Sequence, residues 1–132
     1  EAEWEKAARG SDGRKYPWGN TPTAGCTHAV VNDGGAGCGT GSTMAVGSKP
    51  LGVSPYGAQD MTGNVWERVS DWYDAGYYSS SPSSNPPGAA SGTDRVVRGG
   101  SWYDLPRYAR APNRLGYVPT ARNEAIGVRC AQ

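Results

Sequence analysis

Between Arg98 and Arg129 the chain reads RGGSWYDLPRYARAPNRLGYVPTARNEAIGVR, and this stretch constrains the fold more than any other. Gly99-Gly100, Trp102, Pro106, Pro119 and Gly127 punctuate it, with arginines at 98, 110, 114, 122 and 129. Between these landmarks lie short runs of unrelated character, Tyr103-Asp104-Leu105, Arg107-Tyr108 and Leu115-Gly116-Tyr117-Val118. The pattern predicts a skeleton that sets the backbone and a set of exchangeable side chains that face outward. The material for a core points the same way. There is no Phe, one Ile and three Leu in 132 residues, against 20 Gly and 10 Pro. Long amphipathic helices are therefore excluded, and Trp and Tyr must fill much of the interior, each finding a partner for its N–H or O–H. A chain of this length is one domain and buries roughly two-thirds of its unfolded surface.

The net charge of +1 conceals a division. Residues 1–94 carry six Lys and Arg against ten Asp and Glu, whereas residues 95–132 carry seven Arg against Asp104 and Glu124. The two parts are expected to pair with each other. A single-strand nucleic-acid surface of arginine and stacking tyrosine is the rival reading. It is disfavoured because the arginines are regularly spaced among Gly and Pro and this tail has no Lys, a pattern suited to buried or bidentate structural arginines. No stretch approaches the roughly 20 apolar residues of a membrane helix, so no membrane insertion is expected. The chain opens abruptly at Glu1, as though a helix had been entered after its N-cap, which suits a trimmed chain or an unusual natural start.

Local patterns predict an α+β or mostly β domain. Trp4, Ala7 and Ala8 share one face of a short helix over 1–9, with acids early, Lys6 and Arg9 late, and Gly10 to end it. Tyr16-Pro17-Trp18-Gly19 reads as an aromatic pair pinning a turn. Ala29-Val30-Val31 suits a few residues of strand, and GGAGCGTG around Cys38 suits a flexible connection. Residues 65–72 alternate, placing Val65, Glu67 and Val69 on one side and Trp66, Arg68, Ser70 and Trp72 on the other, and the tryptophan side is expected to pack inward. Residues 77–93 form an exposed Ser/Pro/Gly/Ala loop. Strands are expected over 94–98 and 125–131.

The reactive residues are few. A disulfide between Cys26 and Cys38 and a pair of free thiols both remain open, since the compartment is unknown. Cys130 suits a buried small residue within a strand. His28 lacks the companions of a zinc site and suits a solvent-facing loop. No nucleophile and base come together, so no catalytic residues are expected. In DMTGNVWE, Asp60 and Glu67 with the Gly63–Asn64 turn could either surround Ca²⁺ with oxygen or form a capped turn with Glu67 paired to an arginine.

Five segments together resemble the formylglycine-generating-enzyme, or sulfatase-modifying factor, family: EAEWEKAARG at 1, YPWGN at 16, SPYGAQDMTGNVWERVSDWY at 54, DRVVRGGSW at 94 and IGVRCA at 126. They occur in the family's order across the whole chain, although the portion that precedes the EAEWE helix in the family is missing. The resemblance implies a C-type-lectin-like fold, loop-rich, with short strands and few helices. It also implies a structural calcium held by the side chains of Asp60 and Glu67 and the carbonyls of Gly63 and Val65. The family's enzymes oxidise a cysteine with copper held by two thiolates, and the matching positions here hold Asp104 and Ala109. Soft Cu(I) requires sulfur, so oxidase activity is not expected. A branch of the family with an iron-binding helical domain is excluded for want of a His cluster.

A third branch fits better. The variable proteins of diversity-generating retroelements use this fold as a binding scaffold, and residues 95–129 resemble their variable region, with a template rich in asparagine codons. Mutating the adenines of AAC never yields Lys, Glu, Gln, Met or Trp. Tyr103, Asp104, Leu105, Arg107 and Tyr108 obey this restriction, as do Leu115, Gly116, Tyr117, Val118, Thr120, Ala121, Asn123 and Ala125; Glu124 needs another codon. The residues that obey the restriction, apart from Ala125, are the candidate ligand-binding residues. The resemblance implies a non-enzymatic protein that displays them to a protein or other macromolecule, in a cell-surface, secreted or virion-associated setting. The alternative is a formylglycine-generating-like oxidase or a degenerate enzyme of that family.

Overall fold

A computed structural model describes residues 1–21 and 23–130. Its regular elements are one α-helix, α1 (Ala2–Arg9), three short 3₁₀ turns, and four strands, β1 (Trp66–Trp72), β2 (Arg95–Arg98), β3 (Arg114–Tyr117) and β4 (Ile126–Val128), joined by long loops. The strands form one sheet in the order β3-β2-β1-β4. The β1–β2 and β2–β3 pairs are antiparallel, and β4 lies parallel to β1. Among the described residues no helix is long and apolar enough to cross a membrane.

The helix forms where the spacing places it. Trp4 and Ala8 are its buried residues, Glu3 and Glu5 occupy its first turn, and Lys6 and Arg9 its last. Gly10 ends it at φ +69°, donating its N–H to the Lys6 carbonyl at 2.8 Å. Only glycine enters this left-handed region without strain.

Alternation along the strands gives the sheet two working faces. Glu67 of β1 lies opposite Arg98 of β2, which lies opposite Arg114 of β3, so these charges share the face beneath α1. Arg98 is fully buried there and donates to Glu1 Oε1 at 2.7 Å, Glu5 Oε2 at 2.6 Å and the Ala111 carbonyl at 2.8 Å. Arg114 grips Glu1 with two bonds of 2.8 Å. The division of charge between the two parts of the sequence is thus resolved across the sheet. Burial alone would raise the Glu5 carboxyl, but Arg98 and Arg9 outweigh it and hold the pKa below the ordinary value. The opposite face carries Val97 paired with Leu115, and Trp66 paired with Ile126, and it floors the cleft described below.

Two apolar clusters complete the core. Trp4, Ala8, Met61 and Ala111 pack beneath the helix. Tyr16, Ala24, Ala29, Val31 and Ala109 form the second, against which Trp18 packs. Tyr16 and Trp18 stack with ring centroids 5.0 Å apart, as the aromatic turn predicted. The N–H of Trp4 reaches Glu67 Oε2 at 2.6 Å and that of Trp66 reaches Asp104 Oδ2 at 2.7 Å, which answers the requirement set by an aromatic core.

Several expectations need correction. Both sides of β1 are buried at its start, Trp66 toward the cleft and Glu67 toward α1, whereas Ser70 is exposed and Trp72 half-buried with Arg95 over its ring. Ala29-Val30-Val31 is buried but makes only an isolated bridge from Val30 to Gly63. The closing strand is shorter than 125–131, and Cys130 lies beyond it, free and exposed; Ala131 falls outside the described residues. His28 is half-buried, its ring 4.9 Å from that of Trp18. Arg110 and Arg122 are exposed and, among the described residues, form no ion pair, unlike Arg98, Arg114 and Arg129.

Cys26 and Cys38 are joined by a disulfide that closes a loop across 12 residues. Constraint of the unfolded chain over such a loop contributes roughly 3 kcal/mol. Reduction is expected to lower the unfolding temperature by about 6–12 °C, measured by thermal melts with and without reductant. An unchanged melt would show that backbone bonds alone hold this loop.

Candidate ligand-binding cleft

After β2 the chain turns through Gly99 and Gly100, both at positive φ (+94° and +76°). A side chain at Gly100 would crowd the Ala109 Cα at 3.1 Å, so the turn brings the loop back upon itself. The next residues are held by their main chain. Trp102 N–H donates to the Asn64 carbonyl at 2.9 Å, and the Trp102 carbonyl accepts from Gly37 at 2.7 Å. The Asp104 carbonyl accepts from the Asn32 N–H at 2.9 Å, and that of Tyr103 from Asn32 Nδ2 at 3.3 Å. With the backbone anchored from below, the Tyr103 side chain stands outward, 65% exposed.

A cleft of about 290 Å³ opens beside this loop. Trp66, Val97 and Trp102 form its floor, Tyr103, Asp104, Leu115 and Tyr117 its walls, and residues 123–126 its far side. Asp104 Oδ2 accepts three bonds, from Trp66 Nε1 at 2.7 Å, Ser101 N–H at 3.1 Å and Ser101 Oγ at 2.5 Å. On the far side Asn123 Nδ2 donates to the Tyr117 hydroxyl at 3.0 Å, and Trp102 Nε1 to the Glu124 carbonyl at 3.3 Å.

The candidate residues divide by position. Tyr103, Asp104, Leu115, Tyr117 and Asn123 gather around the cleft. Leu105, Arg107, Tyr108, Val118 and Thr120 are exposed but lie outside it, with the Arg107 guanidinium over the Tyr108 ring at 4.8 Å. Three of the twelve are half-buried and carry structure. Asp104 bridges Trp66 and Ser101; Gly116 packs so closely that a Cβ would stand 2.8 Å from the Tyr73 ring; the Ala121 carbonyl accepts from Arg68 at 3.1 Å. The sequence reading missed seven of the twelve lining residues, Trp66 and Glu124 among them. Alternation in β1 did place Trp66 on an inward side; nothing in the sequence distinguished Glu124.

The two positions assigned to copper thiolates do not fit the ion. Asp104 Oδ2 is spent on Trp66 and Ser101, and Ala109 is fully buried in an apolar cluster, so neither offers the sulfur that Cu(I) requires. The calcium set is also otherwise engaged. Glu67 is buried and takes Trp4 Nε1 on one oxygen while Arg129 binds both, at 2.6–3.0 Å. Asp60 Oδ2 accepts the Gly47 N–H at 2.6 Å. The Arg129 guanidinium, whose pKa is raised by its hydrogen bonds to Glu67 and by the charges of Glu67 and Asp60, supplies positive charge beside both carboxylates. While this ion pair stands, Glu67 has no oxygen to give to calcium, and Asp60, Gly63 and Val65 would have to hold the ion without it. Added calcium is therefore expected to leave the unfolding temperature unchanged in a thermal shift assay. A rise of several degrees that Asp60→Asn removes would restore the calcium reading.

Over its full length, residues 1–132, the sequence matches the sulfatase-modifying factor enzyme 1-like domain. The chain belongs to that family. Among curated members and relatives, it is 38% identical over 148 residues to the formylglycine-generating enzyme of Streptomyces coelicolor, covering 99% of this chain and 45% of that protein. It is also 38% identical over 135 residues to the serine/threonine-protein kinase pkn1 of Chlamydia pneumoniae, covering 100% of this chain and 20% of that protein. The solved structure of Treponema denticola variable protein 1 superposes with a TM-score of 0.82 at 33% identity, over 96% of this chain and 44% of that chain. The chain thus spans less than half the length of each of these proteins. Its architecture here is C-type-lectin-like, as in that variable protein, and the likeness extends over nearly the whole chain.

Proposed function

We propose that this sulfatase-modifying factor-like domain is a non-catalytic ligand-binding module in which residues 95–129 carry an exchangeable contact surface. One observation carries the reading: within this segment, burial separates most of the skeleton from most of the candidate surface. Val96, Val97, Arg98, Ser101, Trp102, Ala109 and Ala111 are buried, while Tyr103, Leu105, Tyr108, Leu115, Tyr117 and Val118 are exposed. These six are half of the twelve large exposed apolar residues described in the chain, and single scattered ones would need no explanation. Rigid tyrosines beside Leu, Asp, Arg and Asn are suited to recognising a macromolecule. The names of the relatives do not decide between display and oxidation, because one fold hosts many functions and activity resides in the site. The oxidase reading lacks its sulfur donors at positions 104 and 109.

The test replaces Tyr103, Tyr108 and Tyr117 together by Ala. Peptides selected on the unaltered protein from a displayed random library are expected to bind the variant about a hundredfold more weakly or worse. The unfolding temperature should move by only a few degrees. A variant that fails to fold would place these rings in the core, and copper-dependent oxygen consumption with a cysteine peptide would establish the oxidase instead.

A further inference from the structure

The lining of the cleft has a definite sign and a definite chemistry. Of its lining residues, Asp104 and Glu124 are acidic, four are aromatic, and none is Lys or Arg. Among the described residues neither carboxylate forms an ion pair, although Glu1, Glu5 and Glu67 each have an arginine. Asp104 is half-buried, and the three donors on Oδ2 fix its orientation. Oδ1 is the acceptor it has left to offer to the cleft that it lines. Trp66, Trp102, Tyr103 and Tyr117 line the same cleft with aromatic rings.

Resting on the display reading above, we infer that this cleft receives a cationic side chain, the guanidinium or ammonium group of an arginine or lysine on a polypeptide partner. An aromatic enclosure attracts a cation through the negative faces of its rings, and more strongly once water is displaced. A carboxylate at the wall adds a charge-assisted hydrogen bond. An apolar occupant would bury Asp104 without a counter-charge, which is costly, and an anion would be repelled by both carboxylates. The volume of about 290 Å³ lies just below the range of roughly 300–1,000 Å³ common for whole small-molecule ligands, and it suits one inserted side chain.

Asp104→Asn keeps the shape of the side chain and an acceptor for Trp66 Nε1, so it separates charge from architecture. Peptides from a displayed random library are selected on the unaltered protein, then remade with each Arg or Lys replaced by norleucine. The expected result is that retained peptides carry a basic residue and that its replacement weakens binding at least about tenfold. Asp104→Asn should weaken the basic peptide comparably and erase the difference from its norleucine counterpart. Should that variant fold poorly, the norleucine comparison on the unaltered protein decides alone. Peptides that need Tyr103 and Tyr117 yet tolerate norleucine would overturn the cationic assignment while leaving the display reading intact. If no selected peptide depends on those tyrosines, both fall.

Discussion

Replacing Arg98 by methionine is expected to destabilise the domain by about 3–5 kcal/mol, lowering the unfolding temperature by roughly 10–20 °C or preventing folding. The side chain is fully buried, and its guanidinium satisfies Glu1, Glu5 and the Ala111 carbonyl while lying 5.1 Å from the Trp4 ring centroid. Methionine fills much of the volume but leaves those acceptors with less compensation, and Glu1 retains only Arg114. Stranded buried charge, rather than lost packing, dominates the cost. Thermal and denaturant melts followed by circular dichroism measure it. A variant as stable as its parent would mean that water reaches Glu1 and Glu5 readily, and that the network beneath α1 is not what holds the helix to the sheet.

Gly63→Ala is expected to be comparably damaging, by roughly 2–5 kcal/mol. Gly63 sits at φ +77°, and a Cβ there would overlap the Val30 carbonyl oxygen and stand 3.0 Å from the Val30 nitrogen and carbonyl carbon. Its N–H donates to the Gly99 carbonyl at 2.8 Å, and the neighbouring Asn64 takes the Val30 carbonyl at 2.8 Å and holds Trp102 at 2.9 Å. Movement at this turn therefore reaches the cleft floor. Gly57→Ala provides the comparison, because φ is +82° there but nothing lies within 4 Å of the added carbon. It should cost only about 1 kcal/mol. Equal losses in the two variants, measured by urea unfolding, would show that backbone strain accounts for both and that Val30 yields freely.

How far the sequence could be read depended on whether a residue's partners lay nearby in the chain. The helix was legible because Trp4 and Ala8 are one turn apart, and β2 because Val96-Val97 forms a short apolar run between Arg95 and Arg98. Strand β3 was not, since Arg114–Tyr117 contains a glycine and alternates exposed with half-buried residues, the signature of a surface run. Gly116 is required there by the Tyr73 ring, more than forty positions earlier in the sequence. Asp104 read as an outward contact residue; its architectural role depends on Trp66, which reaches it across 38 positions. The turn at 60–67 posed a choice between calcium and an arginine, and only the fold could bring Arg129 to Glu67.

Loop 32–37 grips its neighbour through the carbonyl groups of residues 102–104, atoms that every amino acid possesses. A mutation at position 103 consequently alters what a partner meets without altering how the segment is moored. Whatever side chain stands there, the same main-chain bonds remain available to hold the loop.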